Sequence, residues 1–249
     1  MNNLQKIEYI SDWIKNYVYK MNNPAKTLVI GVSGGIDSAL TSTLATLTGI
    51  STIIVTMPIK TNANQINLGS VHSKWLTNKY NNATHHHIDL TDTYKSFHST
   101  LRVYDQKSEL GFANSKSRLR MMTLYQVAAS TSGIVVGTGN KVEDFGVGFY
   151  TKYGDGGVDI SPIADLMKSE VKELSKTLGI DSRIINAEPT DGLWDDGRTD
   201  VDQIGMSYEE LEEAMINIKS INRDKYETLR QNNTHKMNPI PVCKLPKEF

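Results

Sequence analysis

The run TLVIGVSGGIDSAL, residues 27–40, limits the fold of this chain more than any other stretch. A β-branched apolar segment runs into Ser33-Gly34-Gly35, and a helix-forming segment opens at Asp37 and Ser38. Two adjacent glycines suit neither a strand nor a helix interior, so they belong to the junction itself. Such a strand–turn–helix junction exposes backbone N–H groups, and the helix start adds unpaired donors and a positive partial charge. The product is an anion cradle, and the usual anion is phosphate.

The rest of the chain extends the same design. TLVIGV (27–32), TIIVTM (52–57), THHHID (84–89) and GIVVGT (133–138) read as buried parallel strands, with helices expected over 37–48, 62–80, 90–99 and 113–131. This alternation predicts an α/β fold: a doubly wound, mostly parallel sheet of five strands with helices on both faces. The loops after the strands, at 33–38, 58–65 and 138–143, then converge on one sheet edge, where ligands of such sheets bind. Further on, TKYGDGGVD (151–159) is polar and glycine-rich. Met167, Val171, Leu174 and Leu178 form a helical stripe closed by Gly179. Ser207 and Glu210 fit a capping box after a polar loop over 188–205. Leu4, Ile7, Ile10 or Trp13, Ile14, and Tyr17 or Val18 recur at helical spacing and predict a docked N-terminal helix. With no repeat and no Pro- or Ser-rich linker, the expectation is one domain over 1–249, with mobile loops near 100–112 and 188–205.

Composition narrows the partners. Lys and Arg total 27 against 28 Asp and Glu, a net charge of −1, so no global field favours nucleic acid or an anionic membrane. The lone Cys243 excludes an internal disulfide framework and fits a reducing compartment. No apolar run nears the roughly 20 residues that span a bilayer, and Glu8 and Asp12 interrupt the N-terminal segment, unlike a signal peptide. A cytoplasmic location is expected. His85 and His87 share one face of their strand and His86 takes the other; no acidic or cysteine cluster accompanies them.

The junction lacks the lysine of a GxxxxGK[ST] loop and is no GxGxxG fingerprint. In the form SGGxDS it resembles the pyrophosphate loop of the ATP pyrophosphatases, which cleave ATP between the α- and β-phosphates. Within that superfamily, GTGNKVEDFGVGFYTKYGDGGVDISPIADLMKSEV (137–171), SKSRLRMMTLYQVA (115–128), PTDGLWDDGRTDVDQIG (189–205) and THK (234–236) resemble the NAD synthetases. The resemblance runs from the first loop to the tail, and TKYGDGG is its most specific part. It implies an adenine nucleotide alpha-hydrolase-like fold and a homodimeric ligase that uses Mg²⁺. Its reaction would make NAD from deamido-NAD, ATP and ammonia through an adenylate, releasing AMP and pyrophosphate.

The same resemblance implies the roles. Gly31, Val32, Ser33, Gly34, Gly35, Ile36, Asp37 and Ser38 would hold ATP, with Thr138, Lys168 and Thr190. Asp37 and Glu143 would bind Mg²⁺. Arg118, Lys152, Asp159, His235 and Lys236 would contact deamido-NAD. Arg118 and Arg120 lie about 200° apart on a helix, so only one serves a given pocket. Lys168 and Asp155 would act in catalysis, Asp155 helping to deprotonate ammonium, a task an ordered water could equally perform. The chain has no room for an added glutaminase domain, so free ammonia is the expected donor, supplied by diffusion or by a separate protein. Two departures stand out: one residue more than usual lies between Glu143 and Lys152, and Met237 replaces a frequent basic residue. Two alternatives stay open. One is another ATP pyrophosphatase, amidating as GMP synthetase does or thiolating tRNA; the other is a non-catalytic nucleotide-binding regulator.

Overall fold

The computed structural model describes residues 1–59, 67–104, 108–194 and 196–245. Four strands form one parallel sheet: β1 (Thr27–Gly31), β2 (Ser51–Thr56), β3 (Ala83–His87) and β4 (Gly133–Val135), in the order β3-β2-β1-β4. Val29 of β1 pairs with Ile53 on one side and Val135 on the other. Side chains alternate across the sheet as a pleated strand requires. Leu28 and Ile30 enter one apolar layer and Val29 the other. The first layer is covered by α1 (Asn3–Lys20), α2 (Ile36–Leu47), α3 (Leu68–Lys79) and α6 (Lys168–Leu178). The second lies under α4 (Thr91–Thr100) and α5 (Glu109–Ser130). The doubly wound fold expected from the alternation is therefore present. None of the described helices is long and apolar enough to cross a membrane.

Among the described residues there is no fifth strand. After β4 the chain makes a single parallel bridge, Val136 to Ile160, and goes no further. Pro162 lacks the N–H a ladder needs, and Gly154, Gly156 and Gly157 precede the bridge in a run of turns, so pairing cannot propagate. Helix α3 starts at Leu68; the earlier part of the predicted 62–80 helix, and much of the 58–65 loop, lie outside the described residues. The Ser207–Glu210 capping box forms as read, with Glu210 N donating to Ser207 Oγ and Ser207 N to Glu210 Oε2. Gly179 closes α6 at φ 75°.

A third, smaller core sits past the sheet. Val142 and Val147 pack with Ile204 of α8 (Asp200–Ile204), Leu211 and Ala214 of α9 (Tyr208–Ile216) and Tyr226 of α10 (Arg223–Met237). The short α7 (Ser182–Ile185) connects α6 to this region. The segment Lys141–Val147 is a π-helix, in which Gly148 N reaches back to Glu143 O. A π-turn holds one residue more than an α-turn over the same span. Gly148, at φ 67°, ends the turn, and a Cβ there would lie 2.6 Å from Asn233 Cβ of α10.

Behind the phosphate-loop helix, His72 is 1% exposed. Its Nε2 lies 3.1 Å from Ser42 Oγ, whose own hydrogen goes to the main chain of α2, and Nδ1 has no partner among the described residues. Burial lowers its pKa from 6.5 to about 4. The unfolded chain thus takes up a proton that the fold refuses, so stability is full above pH 6.5 and falls as the pH drops toward 4. We expect this histidine alone to remove about 3 kcal/mol across that window. Urea unfolding of the wild type and His72→Gln as a function of pH measures it; equal slopes for the two proteins would contradict the assignment.

Candidate active site

The chain crosses from β1 to β2 and β3, then returns to β4 on the other side of β1. The crevice between the ends of β1 and β4 is therefore the switch point, where a doubly wound sheet leaves room for a ligand. Two loops enter it. After β1, Gly34 takes φ 98°, and a Cβ there would sit 2.8 Å from the Gly69 backbone nitrogen, so only glycine fits. Ser38 Oγ donates to Gly35 O (2.9 Å) and Gly35 N donates to Ser33 Oγ (3.2 Å), closing the loop on itself. Asp37 stands in the first turn of α2.

After β4 comes Asn140, fully buried, as the cap of the π-turn. Its Oδ1 accepts from Val142 N and Glu143 N, each at 3.0 Å, while Nδ2 donates to Asp37 Oδ1 at 3.0 Å. One amide thus ties the Glu143 segment to Asp37. Between the two carboxylates lies Lys168, the first residue of α6, its Nζ 2.6 Å from Asp37 Oδ2 and 2.7 Å from Glu143 Oε1. Side-chain exposure is only 12% for Lys168 and 16% for each acid. Burial opposes the lysine charge, yet Asp37 and Glu143 outweigh it and raise its pKa above the ordinary value. Burial likewise opposes the Glu143 charge, but Lys168 and hydrogen bonds from Lys168, Tyr208 and Asn140 hold that pKa down. For Asp37, burial and the neighbouring Glu143 prevail, and its pKa is raised. The Tyr208 ring lies under the ammonium, 4.7 Å from Nζ. Its hydroxyl is 2.6 Å from Glu143 Oε1 and 2.8 Å from Asp200 Oδ2.

Two carboxylates that converge on one ammonium form an oxygen-lined, cation-sized seat. Among the described residues no three His, Cys, Asp or Glu side chains gather to hold a metal. A divalent cation at this seat would complete its shell from water and phosphate, as Mg²⁺ usually does. The sequence directed Lys168 toward phosphate; here it occupies the position between the acids.

The remaining sequence-derived residues fall into two groups. The glycine-rich loop meets α10: Lys152 Nζ donates to His235 O (3.1 Å) and Lys236 Nζ to Tyr150 O (2.9 Å). The His-Lys pair is the last turn of a docked helix. Arg118 Nε reaches Lys152 O at 3.3 Å, whereas Arg120 Nε reaches Met57 O at the end of β2, so the two arginines diverge as their spacing requires. Asp155 Oδ1 accepts from Ser117 Oγ (2.7 Å) and Thr151 N (3.0 Å). It shares a cavity of about 80 Å³ with Gly139, Asp144 and Tyr150. Crowding by protein and the charge of Glu143 push both Asp144 and Asp155 upward in pKa. Asp159 stands apart: its carboxylate accepts from Val135 N and Tyr125 Oη and braces β4. Among the described residues, Thr190 bonds within its own loop, to Arg198 O and from Gly192 N. Thr138 sits half-buried after β4. His85 Nε2 and His87 Nδ1 share Thr56 Oγ1 at 2.9 and 3.0 Å.

A family model described as NAD synthase matches residues 6–247. The chain belongs to the NAD synthase family. The NH(3)-dependent NAD(+) synthetase of Mesoplasma florum is 35% identical over 253 residues, covering 98% of this chain and 96% of its own. Among solved structures, an NMN synthetase from Francisella tularensis superposes with TM-score 0.86 at 30% identity over 99% of both chains. The NH3-dependent NAD synthetase of Campylobacter jejuni does so with TM-score 0.76 at 25% identity, covering 98% of this chain and 100% of its own.

Asn140, Asp200 and Tyr208 were missed in the sequence. Asn140 carried a local signal, as an N-cap residue three positions before Glu143; nothing local marks the other two. Removing the central cation has a defined cost. Lys168→Met leaves two buried carboxylates without their cation, for an expected loss of about 3–5 kcal/mol at neutral pH. The gap to wild type narrows as falling pH protonates the acids. Urea titrations at several pH values check this, and a loss below about 1 kcal/mol, the range of exposed pairs, would contradict a desolvated triad.

Proposed function

We propose that this NAD synthase family member joins ammonia to the pyridine carboxylate of deamido-NAD, consuming ATP and releasing AMP and pyrophosphate. The observation that carries the reading is the convergence of Asp37, Glu143 and Lys168 beside the Ser33–Ser38 loop at the switch point. A pyridine carboxylate is a poor acceptor for ammonia, because oxide is a poor leaving group. Its oxygen therefore attacks the α-phosphorus, the bond to the β-phosphate breaks, and an acyl adenylate forms. Ammonia then attacks the acyl carbon, AMP departs with the original carboxylate oxygen, and the nitrogen sheds a proton.

In this reading the backbone N–H groups around Gly34 and Gly35 hold the departing pyrophosphate. Bound between Asp37 and Glu143, Mg²⁺ would neutralise charge on the phosphates. Lys168 marks that seat in the ligand-free chain and turns its ammonium to phosphate when the seat fills. Thr138 and Thr190 contribute to ATP binding. Arg118, Lys152, His235 and Lys236 receive the acid substrate where the glycine-rich loop meets α10. Asp159 is the least supported member of that set, since its carboxylate already braces β4. Asp155 faces a cavity suited to a molecule of ammonia's size and takes the proton ammonium must lose. The chain acts as one unit on free ammonia, in the cytoplasm. It pairs as a homodimer, a reading supported by Phe97 of α4 with Leu110 and Met122 of α5, apolar and open to solvent.

One observation favours a second substrate. The solved structure that superposes with the higher TM-score carries the name NMN synthetase, whose acid precursor would be the mononucleotide. The chemistry at the carboxyl is the same; the two acids differ beyond the ribose phosphate, where the mononucleotide lacks the adenylate half.

The deciding assay supplies ATP, Mg²⁺ and ammonium with either deamido-NAD or nicotinic acid mononucleotide. We expect NAD, AMP and pyrophosphate in equal amounts, with the higher kcat/KM for the dinucleotide. ADP as product overturns the reaction, and preference for the mononucleotide overturns the substrate. Asp37→Ala and Glu143→Ala should each lower kcat/KM by at least about 100-fold. Unchanged turnover in either removes that ligand.

A further inference from the structure

The oxygens around Tyr208 do not balance for hydrogen. Its hydroxyl lies within hydrogen-bond distance of two carboxyl oxygens, Glu143 Oε1 and Asp200 Oδ2. A phenol carries one hydrogen and can donate to only one of them. The second contact needs a hydrogen from the other side. Glu143 is the poorer source, because the same Oε1 already accepts from the Lys168 ammonium at 2.7 Å, whereas no cation is bonded to Asp200 among the described residues. Tyr208 is not an anion either: a phenolate at that position would face two carboxyl oxygens with no hydrogen to give to either. The missing hydrogen belongs to Asp200.

Burial and bonding agree with this count. Asp200 is 5% exposed, and its Oδ1 is buried with no hydrogen-bond partner among the described residues. A bare, buried carboxylate oxygen is costly, whereas the carbonyl oxygen of a neutral acid holds far less charge. We propose that Asp200 is a positioning residue that stands as a neutral carboxylic acid in mildly acidic solution. It donates to Tyr208, which in turn donates to Glu143 and fixes that carboxylate for the divalent cation. The last clause rests on Glu143 as a metal ligand; the protonation of Asp200 does not.

The groups that face Asp200 are Tyr208 from α9, Glu143 from the π-turn, Lys168 from α6 and Asp191 from the preceding loop. Burial dominates, Glu143 adds to it, and the acid titrates at about 6 instead of the ordinary 3.8. As pH rises through that value Asp200 loses its hydrogen. Two carboxylates then compete for the single Tyr208 hydrogen, and Glu143 is held less firmly.

The test has two arms on the full chain. Carboxyl ¹³C NMR of the ligand-free protein, compared with Asp200→Asn, isolates the Asp200 signal. We expect its midpoint near 6; a midpoint at or below the ordinary aspartate value overturns the proposal. In the second arm, run at about pH 5 where Asp200 keeps its hydrogen, the Mg²⁺ concentration for half-maximal turnover should rise about tenfold in Asp200→Ala and Tyr208→Phe. Asp200→Asn keeps a donor toward Tyr208 and should recover most of that loss. An asparagine variant as impaired as the alanine one overturns the proposal, and Tyr208→Phe serves if alanine does not fold. Failure of the proposed reaction would leave the first arm intact.

Discussion

The structure is organised around one buried ammonium. Lys168 is held between Asp37 and Glu143, and each of the three stands at the start of a different element: α2 after β1, the π-turn after β4, and α6. Such a triad is a poor source of net stability, since desolvating three charges offsets most of their attraction. Its consequence is positional. No one of the three elements can shift without leaving a buried charge unpaired, so the crevice at the switch point is fixed before any nucleotide arrives. In the reading proposed above, the seat that takes an ammonium would also accept a hard divalent cation, and exchange of one for the other would link nucleotide binding to the freeing of Lys168.

Support for the triad comes from outside the sheet. The third core, built from Val142, Val147, Ile204, Leu211 and Tyr226, presses the π-turn against α8, α9 and α10. It brings Tyr208 under the ammonium. Asn140 binds the two halves from the sheet side with a single side-chain amide. The Glu143 carboxylate is thus fixed by Lys168 and by Tyr208, a preorganisation that keeps the electrostatics in place before reaction.

Much of this was legible in the sequence, for identifiable reasons. The Ser33–Ser38 loop and α2 could be read because a strand run, two glycines and a helix start are all local signals. Val29, Ile30 and Ile54 announced buried parallel strands by β-branching alone. The fifth strand of the expected sheet had no run of its own in the sequence, and where the chain comes back beside β4 Pro162 and the glycines before Ile160 stop the ladder at a single bridge. Asp37 and Glu143 were legible only through family resemblance; their meeting depends on strand order. Tyr208 and Asp200 left no trace, because their role arises from a contact across 65 residues of chain. The capping box set where α9 begins, but not what its first residue faces. Lys168 was found but aimed differently, since a sequence cannot show which partner a cation takes when the ligand is absent.

The most direct test of the account is where a divalent cation binds relative to Lys168. Crystals grown with Mn²⁺ and a non-hydrolysable ATP analogue would locate the metal by anomalous scattering. The account predicts a peak bonded to both Asp37 and Glu143, with Lys168 Nζ withdrawn from between them and set against phosphate. A metal bound elsewhere, with Lys168 still bridging the two acids, would contradict it.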